Sequence, residues 1–218
     1  MTIAPAFTEP VAALPSRERL LRGLAASIKE RGYRETKISD IVAHARTSRR
    51  TFYEVFETKD DCFLALLFEI HQLLQAEIAA AVDPKAPWDE QVRAGVGAWV
   101  DTIAAEPEVG LSWIRELPSL GTRAVEAQRY AMRTFTKLLI ELSSTAEMRK
   151  AGIEPISEAR AVILLGGLRE LAAGVVEHGE DIRTIRAEAI DAALALLAPL
   201  AKPATTSRRR GSRSKENS

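Results

Sequence analysis

The spacing of apolar residues is the feature that most constrains this chain. From Ser16 to about residue 200 they recur every three or four positions, and no segment alternates apolar and polar residues as a half-buried β-strand would. Leu20, Leu24 and Ile28, for example, fall on one stripe of a helix. The chain is therefore predicted to be all-α with about nine helices: three short helices, a long connector and a five-helix body.

Breaks in this spacing predict where the helices end. A first helix is predicted from Ser16 to Arg31, with Ser16 as its N-cap and Gly32 as its stop. Two short apolar sets follow, separated by the gap Arg46 to Arg49, and the connector is predicted from about Lys59 to Ala81. The five predicted body helices are centred on residues 92–103, 111–117, 125–142, 156–178 and 181–199.

Composition excludes several other classes of protein. With 46% hydrophobic and 28% charged residues, the chain has the make-up of a globular protein. No uninterrupted apolar run reaches the ~18 to 20 residues that a membrane helix needs, and the first fifteen residues lack a signal-peptide pattern. We therefore expect a cytoplasmic protein without a membrane partner. The single cysteine, Cys62, excludes an internal disulfide and a cysteine-based zinc site, and no motif predicts a metal or a cofactor.

A net charge of zero hides an uneven distribution of charge. Residues 16–62 hold eleven Lys and Arg against eight Asp and Glu, whereas residues 63–200 hold thirteen against twenty. We predict a disordered arm over 1–15, a basic module over 16–62 that faces an anionic partner, and an acidic helical body over 63–200. Residues 201–218 are predicted to be a disordered basic tail, which either attracts phosphates or only keeps the chain soluble.

Within the basic module, two short helices separated by a four-residue turn follow a stabilising helix. This order is the sequence form of a helix-turn-helix DNA reader. Residues 32–41 and 45–60 read GYRETKISDI and ARTSRRTFYEVFETKD. They resemble the DNA-binding domain of the TetR family of one-component transcriptional regulators, and the resemblance covers roughly Ser16 to Cys62. Beyond it, the chain is similar to the family's ligand-binding and dimerising body in architecture alone.

The second short helix of this motif is predicted to lie in the major groove of double-stranded DNA. Ser48 can cap its N-terminus, where free backbone amides also suit a phosphate. Phe52 and Phe56 lie four residues apart and would face inward to hold the helix on the module. The outward face is then formed by Arg49, Arg50, Thr51 and Tyr53.

Two different roles are predicted on this outward face. Arg49 and Arg50 are candidates for reading guanine, since a bidentate arginine contact discriminates by ~1 to 3 kcal/mol. The resemblance implies that Tyr53 and Lys59 each bind a backbone phosphate without reading sequence. The alternatives are that the two arginines are solvated surface charges and that Tyr53 is a half-buried core ring.

The resemblance also implies phosphate contacts at the start of the first short helix, from Thr36 and Lys37. Two positions depart from the family's pattern. Arg46 stands in the turn where the family commonly has glycine, so either Arg46 adopts a left-handed conformation or the turn differs. Its side chain also adds charge near the DNA. Arg50 likewise stands where family members often carry glycine, which leaves the operator sequence undetermined.

The body is expected to bind a small molecule in a cavity beside the connector helix. A DNA-binding protein that responds to a metabolite needs a cavity whose shape is linked to the spacing of its two DNA-binding modules. The connector helix contacts both the expected cavity and the module. Such a cavity would favour an apolar or aromatic effector. For each lining residue the alternative is a plain core position. The predicted lining residues are Phe63, Leu67, His71, Trp99, Ile103, Trp113, Leu117 and Phe135.

The last two predicted helices carry many apolar residues. A helix that is buried on one side only would need fewer of them. Gly166 and Gly167 lie inside a helix, where each costs ~1 kcal/mol relative to alanine, which indicates close backbone approach. We infer a two-fold homodimer through a four-helix bundle and hence a palindromic operator. The predicted interface comprises Val162, Leu165, Gly166, Leu168, Leu171, Ala172, Val175, Ile185, Ala189, Ala193, Leu194 and Leu197.

Three functional hypotheses follow from these patterns. The first is a dimeric, ligand-responsive transcriptional regulator, most often a repressor in the family that the module resembles. The second is a DNA-binding protein without a small ligand, which answers a protein partner or acts architecturally. The third is a helical enzyme, which the scattered histidines and the lack of nucleophile, phosphate-loop, dinucleotide and metal motifs disfavour.

Overall fold

The computed structural model describes residues 14–198, and no residue in that range forms a β-strand. The predicted tail and all but the last two residues of the predicted arm lie outside the described residues. The α-helices of the described chain are α1 (Ser16–Glu35), α2 (Ile38–His44), α3 (Arg49–Val55), α4 (Lys59–Ala81), α5 (Trp88–Ala105), α6 (Pro107–Arg115), α7 (Thr122–Leu142), α8 (Ala146–Lys150), α9 (Glu158–Glu177) and α10 (Arg186–Leu197). The all-α prediction is confirmed.

The first three helices form an N-terminal module in which α1 and α2 cross closely. Leu20 and Leu24 of α1 are fully buried in the apolar core of this module. A Cβ added to Gly23 would lie 2.5 Å from the carbonyl oxygen of Ile41 and 3.0 Å from the amide nitrogen of Ala45. Glycine at this position therefore allows α2 to pack directly on the backbone of α1.

The two ends of α1 show one confirmed and one wrong boundary residue. Gly32 has a φ of 77°, so the regular helix breaks at the predicted stop, although one further turn continues to Glu35. The predicted N-cap is wrong, because Pro15 occupies that position and Ser16 is the first helical residue.

The long helix α4 joins two apolar cores. Phe63 and Leu67 in its first half belong to the core of the module, whereas Leu74 and Ile78 in its second half belong to the core of the body. Within residues 14–198, α4 is the one helix long and apolar enough to cross a membrane by length and composition. Its apolar side chains pack on α1, α5 and α7, which is the arrangement of a core helix.

The body differs from the sequence prediction in its short elements. The helix α6 starts at Pro107, earlier than predicted, because proline suits the first helical position. The helix α8, which the spacing did not predict, is only five residues long and is capped by the Thr145 hydroxyl, which accepts from the Met148 amide. A 3-10 segment over 182–185 replaces the start of the last predicted helix. The described residues therefore form ten α-helices instead of about nine.

Candidate functional site

The helix α3 is held on the module by its cap and by two aromatic side chains. The Ser48 hydroxyl accepts a hydrogen bond from the Thr51 amide at 3.1 Å, so the predicted cap is confirmed. Phe52 is fully buried and Phe56 is 8% exposed, and their ring centroids lie 5.9 Å apart. The inward face of α3 is therefore anchored in the core, and its other face is open to solvent.

The open face of α3 presents two arginines and a tyrosine. Arg50 pairs with Glu54 at 3.0 Å one turn later on the helix. Arg49 is exposed and makes no hydrogen bond or ion pair with any of residues 14–198. Tyr53 is 59% exposed, which is incompatible with the alternative of a half-buried core ring. Thr51 is half-buried, and its hydroxyl lies 3.0 Å from that of Ser48.

Arg46 in the turn before α3 has a left-handed backbone. Its φ of 49° is the one positive value at a non-glycine residue in the described part of the chain. Its side chain is exposed. An L-residue adopts this conformation at a cost that glycine avoids. The turn therefore keeps the geometry for which glycine is suited, and it adds a positive charge at the open face.

Thr36 and Lys37, just before α2, are both predicted to bind phosphates, but only Lys37 lies at the surface. Thr36 is 2% exposed, and its hydroxyl donates to the carbonyl of Gly32 at 2.8 Å and lies 3.0 Å from the hydroxyl of Ser27. Burial therefore removes the Thr36 side chain from the predicted DNA contacts. Lys37 is exposed, and its backbone amide donates to Asp40 at 2.9 Å, so the phosphate contact of its side chain stays a prediction.

Lys59 closes the end of α1 instead of presenting its charge to solvent. Its Nζ donates to the carbonyls of Tyr33 and Thr36, both at 2.9 Å, and lies 4.2 Å from the centre of the Tyr33 ring. Burial lowers the pKa of Lys59. Because the ammonium group is engaged inside the module, the predicted phosphate contact from this side chain is not supported by the geometry.

The body contains two adjoining apolar cavities. Trp99, Phe135 and Leu165 line both, so the cavities meet at these three side chains. The first is also lined by Ile78, Val82, Gln91, Val92, Gly95, Val96, Leu138, Leu139, Leu142, Ser143, Met148, Ile156, Leu164, Leu168, Ala193 and Leu197. The second is also lined by Leu74, Ile103, Gly110, Trp113, Ile114, Gln128, Ala131, Met132, Arg169 and Ala172.

The predicted lining residues fall in three different places. Trp99, Ile103, Trp113 and Phe135 line the two cavities. A more open cleft between α4 and α7 is lined by Trp113 again and by Leu67, His71 and Leu117. Phe63 lines none of these spaces. It is fully buried in the core of the module, where its ring stacks on Tyr33 at 4.1 Å, so its prediction as a lining residue is wrong.

His71 forms a buried wall of the open cleft. Its Nε2 lies 2.7 Å from the hydroxyl of Thr134, and the rings of Trp113, Tyr130 and Phe135 surround it within 6.0 Å. The Nδ1 atom is buried and has no partner in the described part of the chain. Burial lowers the pKa of His71 to about 4, so the ring is neutral at pH 7.

The predicted interface residues separate into two groups. Leu165, Leu168, Ala172, Ile185, Ala189 and Ala193 are buried within the subunit itself, so their placement in an interface is wrong. Val175, Leu194 and Leu197 are half-buried and pack against the body core. On the outer side of α9, by contrast, Val162 is 42% and Leu171 40% exposed, with the exposed Gly166 between them. Sequence reasoning missed Ile163, which is 62% exposed on the same side.

Sequence reasoning also missed the charged contacts that join the elements. At the end of α6, Arg115 binds both oxygens of Glu170 at 2.8 and 2.9 Å and both oxygens of Glu177 at 2.6 and 3.0 Å. These bonds lower the pKa of both carboxylates. The next residue, Glu116, accepts from Arg34 of the module at 2.7 Å. Partners more than fifty positions apart leave no signal in local spacing.

No metal site is found among residues 14–198, since no group of three or more His, Cys, Asp or Glu side chains could hold an ion. Cys62 is buried, and burial raises the pKa of its thiol to about 12. A thiol in this state is a packing residue and a poor nucleophile.

The first part of the chain is similar to known DNA-binding domains. Residues 20–66 match the model of the family described as bacterial regulatory proteins, tetR family. A curated relative, the uncharacterized HTH-type transcriptional regulator YdgC from Bacillus subtilis (strain 168), is 36% identical over 56 residues. That match spans 26% of this chain and 29% of the relative, so it speaks for the module alone.

Solved structures are similar over most of the described fold. The fatty acid degradation regulator FadR from Bacillus halodurans has a TM-score of 0.72 at 20% identity, covering 86% of this chain and 97% of that one. FadR from Bacillus subtilis in complex with stearoyl-CoA has a TM-score of 0.69 at 16% identity, covering 83% and 97%. A TetR family transcriptional regulator from Agrobacterium tumefaciens has a TM-score of 0.68 at 20% identity, covering 87% and 100%.

Replacing Arg46 by glycine should stabilise the protein and weaken DNA binding at the same time. Relief of the left-handed backbone is worth about 1 kcal/mol, which should raise Tm by roughly 2 to 4 °C. Loss of one charge beside a phosphate should weaken binding of all duplexes and lower the salt dependence. Arg46→Ala is the matched control, because it removes the charge and keeps the strain. Equal melting temperatures for the two variants would contradict strain at this turn.

Proposed function

We propose that this chain, whose residues 20–66 match the tetR family of bacterial regulatory proteins, is a dimeric TetR-family repressor that a small lipophilic molecule releases from a palindromic operator. The observation that carries the proposal is the combination of two features in one fold. An exposed, arginine-bearing α3 is anchored on a rigid module, and the same α4 that supports this module also walls apolar cavities in the body. The first feature suits DNA, and the second suits an effector.

The open face of α3 supports sequence reading by few side chains. The helix has seven residues, so it extends only ~10 Å at 1.5 Å per residue and fits within one major groove. Arg49 has no competing partner in the described chain, whereas Arg50 must leave Glu54 to reach a base. We therefore assign guanine reading first to Arg49. Tyr53, Lys37 and Arg46 would position the module through phosphates.

The outer side of α9 supports pairing with a second copy of the chain. Val162, Ile163 and Leu171 expose apolar surface there, and a Cβ added to Gly166 or Gly167 would meet nothing within 4 Å. Exposed glycines inside a helix cost ~1 kcal/mol each relative to alanine, and a second helix packed closely against them offsets that cost. Two modules spaced ~34 to 36 Å apart would then face successive major grooves.

The cavities support an effector that moves the module. Gly110, Trp113 and Ile114 of α6 wall the second cavity, while Val109 of the same helix is buried in the module core. A molecule that binds more tightly when the cavity is wider would displace α6. It would thereby change the distance between the two modules of the proposed dimer. The mainly apolar walls favour a lipophilic molecule, as does the likeness in fold to a FadR that holds stearoyl-CoA.

Two substitutions in α3 should separate sequence reading from phosphate binding. Arg49→Ala should reduce the preference for an operator selected from random duplexes over its guanine variants by roughly tenfold. Tyr53→Phe should weaken binding of every duplex about fivefold, because one hydrogen bond of ~1 kcal/mol is lost. Gel-shift titrations at several salt concentrations measure both effects. The reverse pattern would contradict the assigned roles.

A charge on the outer side of α9 should abolish dimerisation. Ile163→Lys is expected to convert the dimer into 23.9 kDa subunits in analytical ultracentrifugation and to reduce operator binding strongly. Val125→Lys is the matched control, since Val125 is a similarly exposed apolar residue, 38% accessible, on α7 instead of α9. A wild-type protein that sediments as single subunits at micromolar concentration would contradict the interface.

Lipophilic compounds should stabilise the protein and release it from DNA. A ligand at about one hundred times its Kd should add about 2.7 kcal/mol to the free energy of unfolding. The Tm of the free protein and the fluorescence anisotropy of a labelled operator measure the two effects. A compound that releases DNA without raising Tm acts on the DNA and serves as the negative control. If no lipophilic compound does either, a regulator that answers a protein partner is favoured instead.

A further inference from the structure

One charged side chain lines the otherwise uncharged cavities of the body. Arg169 of α9 lies at the wall of the second cavity, beside the apolar side chains of Leu165 and Ala172. Burial lowers the pKa of its guanidinium, the nearby charge of Glu170 raises it, and that of Arg115 lowers it. Arginine nonetheless remains protonated in proteins, so the cavity wall carries a positive charge with reduced access to water.

The neighbouring carboxylate of Glu170 interacts with the charge of Arg169 but forms its hydrogen bonds with Arg115. Both oxygens of Glu170 accept hydrogen bonds from Arg115, and so do both oxygens of Glu177. Arg169 itself makes no hydrogen bond or ion pair with any of residues 14–198. A partly desolvated charge without a hydrogen-bonded partner is costly, and a bound anion offsets that cost.

We propose that Arg169 binds the carboxylate of the effector, and that the effector is a carboxylic acid with an extended apolar body. The proposal rests on the effector-binding function inferred above and specifies its chemistry. A planar guanidinium matches a carboxylate with two parallel hydrogen bonds. From Arg169 the apolar body would run past Trp99, Phe135 and Leu165 into the first cavity.

The charge count favours a free acid over larger anionic conjugates. Arg169 is the one charged residue among the side chains that line the two cavities. One cation balances a monoanionic carboxylate. A thioester of coenzyme A lacks the free carboxylate and brings several phosphate charges, which would require further cations near the cavity. Neutral alcohols of the same length would fill the apolar space but leave Arg169 without a partner.

Binding is measured on the full-length protein without DNA, through the change in its intrinsic tryptophan fluorescence. Two of the three tryptophans, Trp99 and Trp113, lie at the cavity wall. The probes are octanoate, dodecanoate and hexadecanoate, the matching primary alcohols and the matching coenzyme A thioesters. At least one acid should bind about tenfold more tightly than its alcohol, since a charged hydrogen-bonded pair is worth at least that factor. Arg169→Gln should reduce the affinity for the acid to that for the alcohol and leave the affinity for the alcohol unchanged.

Two further variants separate recognition from a structural role. Arg169→Lys keeps the charge without the planar fork and should show an intermediate preference for the acid. Arg129→Gln is the matched control, because Arg129 is exposed on α7 outside the cavity lining, and it should bind like the wild type. Without a ligand, Arg169→Gln should melt at the same temperature as the wild type or above it, since a half-buried charge without a hydrogen-bonded partner is removed. A fall in Tm would assign Arg169 to the fold and overturn the proposal.

The remaining outcomes separate this proposal from the regulatory function. Equal binding of acids and alcohols, tighter binding of the thioesters, or no binding of any probe would overturn the assignment of a carboxylate to Arg169. Release of operator DNA by an alcohol or a thioester would still support the regulatory function. Conversely, an acid that binds in an Arg169-dependent manner without releasing DNA would support the anion site and contradict the effector role.

Discussion

The connection between the module and the body depends on how Lys59 closes the end of α1. The last carbonyls of a helix lack the amide four residues on, and Lys59 at the start of α4 donates to the carbonyls of Tyr33 and Thr36 at that end. Its ammonium also lies against the ring of Tyr33, whose other face stacks on Phe63 of α4 and whose hydroxyl donates to Asp60. These partners make a half-buried cation tolerable. The end of α1 and the start of α4 are thereby fixed to each other, so the orientation of the module follows that of α4.

The helix α6 provides a second connection and also lines the second cavity. Val109 inserts into the module core and Glu116 binds Arg34, while Trp113 faces the cavities. A rigid helix with one face on each partner transmits a displacement without unfolding. With α4 fixed to α1 at the first connection, movement of α6 would act as a torque on the module. The module is therefore joined to the body at two places, through Lys59 of α4 and through α6, and only the α6 connection lines a cavity.

Features that depend on near neighbours could be predicted from the sequence, and features that depend on distant partners could not. The Ser48 cap, the inward Phe52 and the left-handed Arg46 are set within about four residues of each position. Lys59, in contrast, looks like a surface cation until the carbonyl of Tyr33, 26 positions away, is placed beside it. On α9, apolar residues occupy nearly every side, so spacing alone could not divide them between the subunit core and an outer face. The one available signal for Arg169 was a charge inside that apolar stripe.

The helix α9 is where the proposed functions meet. Its outer side exposes Ile163, its inner side places Arg169 at the cavity wall, and its carboxylates at Glu170 and Glu177 are held by Arg115 at the end of α6. An anion at Arg169 would therefore lie beside the seam between α9 and α6. Coupling between two sites typically amounts to ~1 to 3 kcal/mol, and one charged hydrogen-bonded pair supplies about the same amount. The free energy from a single bound carboxylate is thus of the size that the proposed coupling between the cavity and the module requires.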